Sequence, residues 1–242
     1  MIFEIIVAAT AMIAGAIAAI AGFGIGSILT PLLASEYGMK TAVGAVAVPH
    51  VIATLLRFWR LRGHVDSRVF FGFGLMNAGG ALVGALVHAY SPSPVLSTVL
   101  GALLVFAGTL GVTGYADRLR FSRKASWIAG AVSGGFGGLV GNQGGIRSAA
   151  MLGLDLKGAA FVATATAIGL SVDAVRMPIY FATASRQIFA AWPAMIAAVI
   201  GVVIGTLAGE RMLRRIPEKL FRKTVLAILL AIGLVLLITN SG

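Results

Sequence analysis

"GNQGGIRSAAML", Gly141 to Leu152, sets three glycines, two side-chain amides and an arginine between long apolar stretches. A second stretch, "GFGIGSILTPLL" from Gly22 to Leu33, aligns with it at an offset of 119 residues. Non-helical backbone at membrane depth survives only where protein or a water-filled cavity satisfies its N–H and C=O groups. If helix runs straight through both stretches, the chain is eight plain spans in two parallel halves. If helix breaks at both, each half opens with a re-entrant pair and the halves can insert upside down relative to each other.

The surroundings are built for lipid. The chain has 242 residues, 59% of them hydrophobic and 11% charged, whereas a soluble domain carries about 25% charged residues. Apolar segments fall at 2–33, 41–59, 69–89, 94–114, 126–153, 157–177, 188–208 and 219–239, most of them near the roughly 20 residues that span a bilayer core. The fold class is therefore an all-α polytopic membrane protein, with the lipid bilayer as its first partner. The first 20 residues hold Glu4 and no basic n-region, so they are read as part of the mature protein and not as a signal peptide. Cysteine is absent and the three histidines are dispersed, so neither a metal site nor a cofactor is expected. A net charge of +11 would suit nucleic acid, but the basic residues cluster between apolar spans. The positive-inside rule explains that pattern without a nucleic-acid partner.

The repeat extends beyond the opening stretches. "VIATLLR" (51–57) aligns with "LSVDAVR" (170–176) at the same offset, and Gly84 of "GGALVGALV" falls near Gly205 of "VIGVVIGTLAG". The chain reads as two homologous membrane repeats, 1–117 and 118–242, in one integrated transmembrane domain. Loops 60–68, 115–125 and 209–223 are rich in Arg and Lys, whereas loop 88–94 has neither. Loop 88–94 corresponds to loop 209–223, so the positive-inside rule turns one half over relative to the other. Inversion needs an odd number of crossings per half. A glycine-broken, re-entrant pair plus three transmembrane helices supplies it, an arrangement known among transporters.

The breaks carry the expected chemistry. Each exposes backbone N–H groups, and the half-helix that follows presents the positive end of its dipole. Two breaks meeting near the midplane would cage a small anion between Gly22, Phe23, Gly24, Gly26 and Ser27 on one side and Gly141, Asn142, Gln143, Gly144, Gly145 and Arg147 on the other. Ser148 would add a further donor. The competing reading is that these glycines only permit tight helix packing. Arg57 and Arg176 occupy equivalent repeat positions. They either draw or gate anions or snorkel to the interface, and snorkelling is favoured for Arg57 because Arg60 and Arg62 follow it. Asp173 lies three residues before Arg176 on the same helix face and can pair with it. His50 either carries a coupling proton or is a hydrogen-bonded packing residue. His88 is read as interfacial, Asn77 as a mid-span group in need of a partner, and Trp59, Trp127 and Trp192 as an aromatic belt.

With these residues in view, the chain resembles the sulfite exporter TauE/SafE family. The resemblance rests on "AGFGIGSILTPLL", on "GGFGGLVGNQGGIRSAAML" (134–152), on the duplicated organisation and on the short basic loops. It implies a multi-pass permease of the bacterial cytoplasmic (inner) membrane that moves sulfite, sulfonates or related organosulfur anions. By this match Gly22–Gly26 and Gly141–Gly145 are the motif positions carried over. The second half has Ala150 where the first has Pro31, so the two half-sites are chemically unequal.

The combined expectation is a secondary transporter for a small sulfur-containing anion, working by alternating access and most simply in the direction of export. No G-x-x-x-x-G-K-[ST] phosphate loop occurs, which leaves H⁺ or Na⁺ coupling, the membrane potential or the substrate gradient as the energy source. The alternatives are an anion channel, or a permease for another small organic anion. An enzyme is not expected: of eight acidic residues only Asp173 falls deep in a span, too few for clustered carboxylate chemistry. The oligomeric state is left open, a homodimer included.

Overall fold

The protein, seen in a computed structural model, is described over residues 1–114, 122–151, 154, 156, 158–213 and 218–240. For Ala21, Arg123, Ala149, residues 210–213, residues 218–223 and Asn240 the backbone alone is described. Most of the basic residues in loops 115–125 and 209–223 therefore lie outside the described side chains.

α1 (Ile2–Ala21) stops at Gly22, which turns into the left-handed region at φ 76° and closes its N–H on Ala18 O at 3.0 Å. Glycine takes that turn without the Cβ penalty of other residues. Phe23 and Gly24 separate it from α2 (Ile25–Tyr37). The chain then forms α3 (Met39–Leu61), a 3₁₀ turn at Arg62–His64, the single turn α4 (Ser67–Val69), a π-helical turn at Phe70–Gly74, α5 (Leu75–Tyr90) and α6 (Ser93–Val112). Asp66 starts α4 by accepting from Val69 N at 2.9 Å.

The second half opens with the same geometry. α7 (Arg123–Val140) ends at Gly141, φ 73°, whose N–H bonds Gly137 O at 3.1 Å. Asn142 and Gln143 are non-helical, and Gly144 and Gly145 already form the first turn of α8 (Gly144–Met151). There follow α9 (Gly158–Ala190), α10 (Trp192–Leu213) and α11 (Glu218–Asn240). The sequence pattern ends an apolar segment at 177, but α9 continues through Pro178 to Ala190, with a kink at Ala184 (φ −145°, ψ 23°). A proline inside a helix removes one hydrogen bond and bends the axis without ending the helix when packing holds both sides.

Among the described residues six helical stretches are long and apolar enough to cross a membrane: Ile2–Ile20, Met39–His64, Ser67–Tyr90, Ser93–Val112, Gly158–Ala190 and Trp192–Gly209. α2 and α8, with 13 and 8 residues, are shorter than the roughly 20 residues a span requires.

The helices pack in four principal pairs: α1 on α10, α7 on α5, α6 on α11 and α3 on α9. Glycine makes the first two pairs close. A Cβ added at Gly205 would strike Met12 O of α1, and one added at Gly84 would strike Gly135 O of α7. Small residues let helix backbones approach where lipid supplies no hydrophobic drive. Two ends of the bundle are recognisable. At one, Phe3 at the start of α1 meets Tyr37 at the end of α2, ring centroids 6.0 Å apart, and Lys40 N of α3 donates to Ser93 Oγ at 3.3 Å. At the other, Ala129 of α7, Met151 of α8 and Ala165 of α9 share an apolar cluster with Phe73. Large apolar side chains such as Ile13, Leu86, Ile200 and Leu234 face outward, the surface a lipid solvent requires.

Candidate functional site

The two breaks touch. A Cβ added at Gly26 would strike Gly141 O, and one added at Gly144 would strike Phe23. Ser27 Oγ donates to Asn142 Oδ1 at 3.1 Å, joining the halves through buried side chains. The structure thus brings Phe23, Gly26, Ser27, Gly141, Asn142 and Gly144 together. Ser133 Oγ of α7 donates to Gln143 O at 3.0 Å and fixes the entry to α8. Gln143 itself is buried, and neither atom of its side-chain amide has a hydrogen-bond partner among the described residues. Ser148 makes no side-chain hydrogen bond among those described.

Three arginines converge on the breaks. Arg57, on α3, is 6% exposed; its Nη1 donates to Ala18 O, and its Nη2 to Thr54 Oγ1 at 3.3 Å. This corrects the snorkelling reading favoured for Arg57: the guanidinium turns inward because the last carbonyls of α1 need donors, and a cation there also meets the negative end of the helix dipole. Arg176, on α9, does the same for α7, its Nη1 donating to Gly137 O at 2.7 Å. Ala18 and Gly137 stand at the same 119-residue offset as Arg57 and Arg176. Arg147, the fourth residue of α8, is 4% exposed and donates from Nη2 to Gly22 O at 3.2 Å, while its Nε and Nη1 have no partner.

One carboxylate answers these three cations among the described residues of the site. Asp173 is fully buried; its Oδ1 lies 2.7 Å from Arg176 Nη2 and accepts from Arg176 Nε at 2.9 Å. Its Oδ2 lies 2.7 Å from His50 Nδ1, so α3 and α9 are tied through a His50–Asp173–Arg176 chain. The His50 carbonyl also accepts from Thr54 Oγ1 at 2.7 Å. The site therefore holds more guanidinium than carboxylate, in a place where unpaired charge costs several kcal/mol.

Sequence reasoning missed several members. Tyr180 is buried beside Arg176 and donates to Gly138 O. His88, read as interfacial, is 1% exposed: its Nδ1 lies 2.8 Å from Leu139 O and its ring stacks near Tyr180, centroids 4.8 Å apart. The end of α7 thus takes three side chains to satisfy carbonyls that helix geometry leaves open. Asn77 finds Gly130 O at 2.8 Å. Thr54 carried a signal that could have found it, since it aligns with Asp173 in the repeat. Trp59 and Trp192 are 71% and 60% exposed and stand away from the site, with Arg62 lying over Trp59 at 3.9 Å.

A family model described as Sulfite exporter TauE/SafE matches residues 7–236 of the chain. No curated protein and no solved structure matches it.

Proposed function

The chain belongs to the sulfite exporter TauE/SafE family, and from that premise we propose a secondary transporter that carries a small sulfur-containing oxyanion between its two helix breaks. Membership makes it a multi-pass membrane protein of a transport family, whose family function is export of sulfite-like anions and not catalysis. The finer reading concerns where the anion sits and how it moves.

The observation that carries the reading is the excess of buried guanidinium at the meeting of the breaks. Arg57, Arg147 and Arg176 face Asp173 as the one buried carboxylate among the described residues of the site. A buried cation left uncompensated is strongly destabilising, and an arriving oxyanion relieves it. The first-turn N–H groups of α2 and α8, the Gln143 amide and the close approach allowed by Gly26 and Gly144 complete an environment of donors. A sulfite or sulfonate head, with three acceptor oxygens, matches it.

The transport cycle follows from two inverted repeats, 1–117 and 118–242, each a re-entrant pair with three crossings. Three observations support that reading. The first helix of each half packs on the second crossing helix of the other, α1 on α10 and α7 on α5. Phe3 of α1 meets Tyr37 of α2, and Ala129 of α7 and Met151 of α8 share the Phe73 cluster, which supports a return of each pair to its own side. The arginine caps recur at the repeat offset. Rocking the halves about the fixed breaks opens the cage alternately to each face of the bacterial cytoplasmic membrane. His50, bonded to Asp173, is the proposed entry for a coupling proton.

The test is flux of sulfite, thiosulfate, taurine and sulfoacetate in proteoliposomes. Saturable, counter-transport-competent flux of a sulfur oxyanion is expected. Unitary currents would instead establish a channel, and flux of none of the anions would sink the reading.

A further inference from the structure

The two halves hold their breaks with the same arginine but not with the same counter-charge. Arg57 and Arg176 each bond the carbonyl four residues before a left-handed glycine, Ala18 O before Gly22 and Gly137 O before Gly141. Each also bonds the residue three positions earlier on its own helix. For Arg176 that residue is Asp173, through two contacts of 2.7 and 2.9 Å. For Arg57 it is Thr54, through one bond of 3.3 Å. Thr54 is the repeat equivalent of Asp173, and it brings a neutral hydroxyl where the other half brings a carboxylate.

The second basic residue in each corner differs as well. His50 of α3 faces Asp173 at 2.7 Å. The repeat equivalent of His50 is Gly169. A Cβ built there would lie 3.2 Å from Arg147 Nη1 and 3.6 Å from Thr54 Cγ2. The missing side chain at Gly169 thus makes room for the Arg147 guanidinium beside Thr54. Arg57 and Arg147 are both more than nine-tenths buried, and Thr54, which Arg57 bonds, lies beside Arg147 at Gly169. Among the described residues, Arg57 Nε, Arg147 Nε and Arg147 Nη1 have no hydrogen-bond partner. In the second half the corresponding corner is neutralised from within.

We propose that the anionic head of the substrate, an SO₃-type oxyanion group, binds in the first-half corner between Arg57 and Arg147, at the position that the Asp173 carboxylate takes in the second half. This rests on the anion-transporter reading and adds to it a single locus and an internal model of the bound anion. The fit is chemical: a carboxylate and a sulfite head both accept the forked donors of a guanidinium. One locus follows because the pseudo-equivalent corner already contains its carboxylate. Occupancy would tie α3, α8 and the end of α1 together, as Asp173 ties α9 to α3.

Thr54→Asp tests this by building the counter-ion into the chain. Purified wild type and variant are titrated with sodium sulfite, against sodium chloride at matched ionic strength, and the thermal-unfolding midpoint is followed. Wild type is expected to rise with sulfite, because a ligand that binds only the folded form stabilises it. Thr54→Asp is expected to start higher than wild type in chloride and to lose at least tenfold in apparent sulfite affinity, while Thr54→Asn starts no higher than wild type. Arg147→Gln is expected to abolish the sulfite response, and it decides the matter alone if Thr54→Asp does not fold. Wild-type affinity retained in Thr54→Asp, or in Arg147→Gln, overturns the proposed locus and leaves the transporter reading standing. A wild type that responds to no sulfur oxyanion overturns both.

Discussion

The two breaks share a backbone and differ in what they carry. Gly22-Phe23-Gly24 and Gly141-Asn142-Gln143 both follow a helix closed by a left-handed glycine, at φ 76° and 73°. The first then offers a phenyl ring and a second glycine at φ 131°, whereas the second offers two side-chain amides. Phe23 packs over Gly144, and Ser27 must reach across to Asn142 for its bond. The two stretches thus share a turn while their side chains differ, a ring packed over Gly144 in one and an amide bonded to Ser27 in the other. The same kind of difference appears at the arginines, where only Asp173 brings a carboxylate.

That comparison can be broken in several places. The largest effect belongs to Asp173→Asn, which strands Arg176 buried without its partner and should cost about 3–5 kcal/mol. A fall of the unfolding midpoint far beyond that of Thr54→Ala would establish the asymmetry, and equal falls would remove it. Next comes Gly84→Ala, whose Cβ would strike Gly135 O; overpacking at such a crossing costs about 1–3 kcal/mol. The matching change at Gly205 should cost as much, since its Cβ would strike Met12 O. Gly22→Ala and Gly141→Ala meet nothing closer than 3.4 Å and lose only the left-handed turn. Each should cost about 1–2 kcal/mol, and a marked inequality would show that the two turns are not equivalent. Ser27→Ala and Asn142→Ala remove the same bond and should each cost about 0.5–1.5 kcal/mol, with a double mutant little worse than either single change. Gln143→Ala is the smallest for stability, because its amide has no partner to lose, yet it should weaken sulfite-dependent stabilisation.

Much of this was legible in the sequence, for identifiable reasons. Glycine at helix ends and at crossings leaves a sequence mark, so the 22–26 and 141–145 stretches, Gly84 and Gly205 all stood out. Asp173 and Arg176 were visible as a helix-face pair because spacing alone brings them together. What failed were the readings of Arg57 and His88 as interfacial, whereas Asp173 and Asn77 are buried as their mid-span positions implied. Arg57 follows apolar sequence and precedes other arginines, a pattern identical for snorkelling and for inward capping; only the fold shows Ala18 O waiting for it. His88 looked terminal because Ser91 and Pro92 follow it, but the end of α7 passes alongside and buries it. The apolar segment ended at 177, yet packing of α9 on both α3 and α5 carries the helix past Pro178.

The pairing of α1 with α10 also sets an order of events during synthesis. Gly15 finds its seat against Val202, a residue made after most of the chain has emerged. At roughly 5–20 residues per second that interval is on the order of ten seconds or more. Throughout it, the small-residue face of α1, Ala8, Ala11, Gly15 and Ala16, has only lipid or a surrogate helix to lie against. α7, by contrast, emerges with α5 already inserted and seats at once. The half made first is therefore the half completed last, and a ribosome stalled before α10 would leave a chain whose opening helix is inserted but homeless, a ready substrate for membrane quality control.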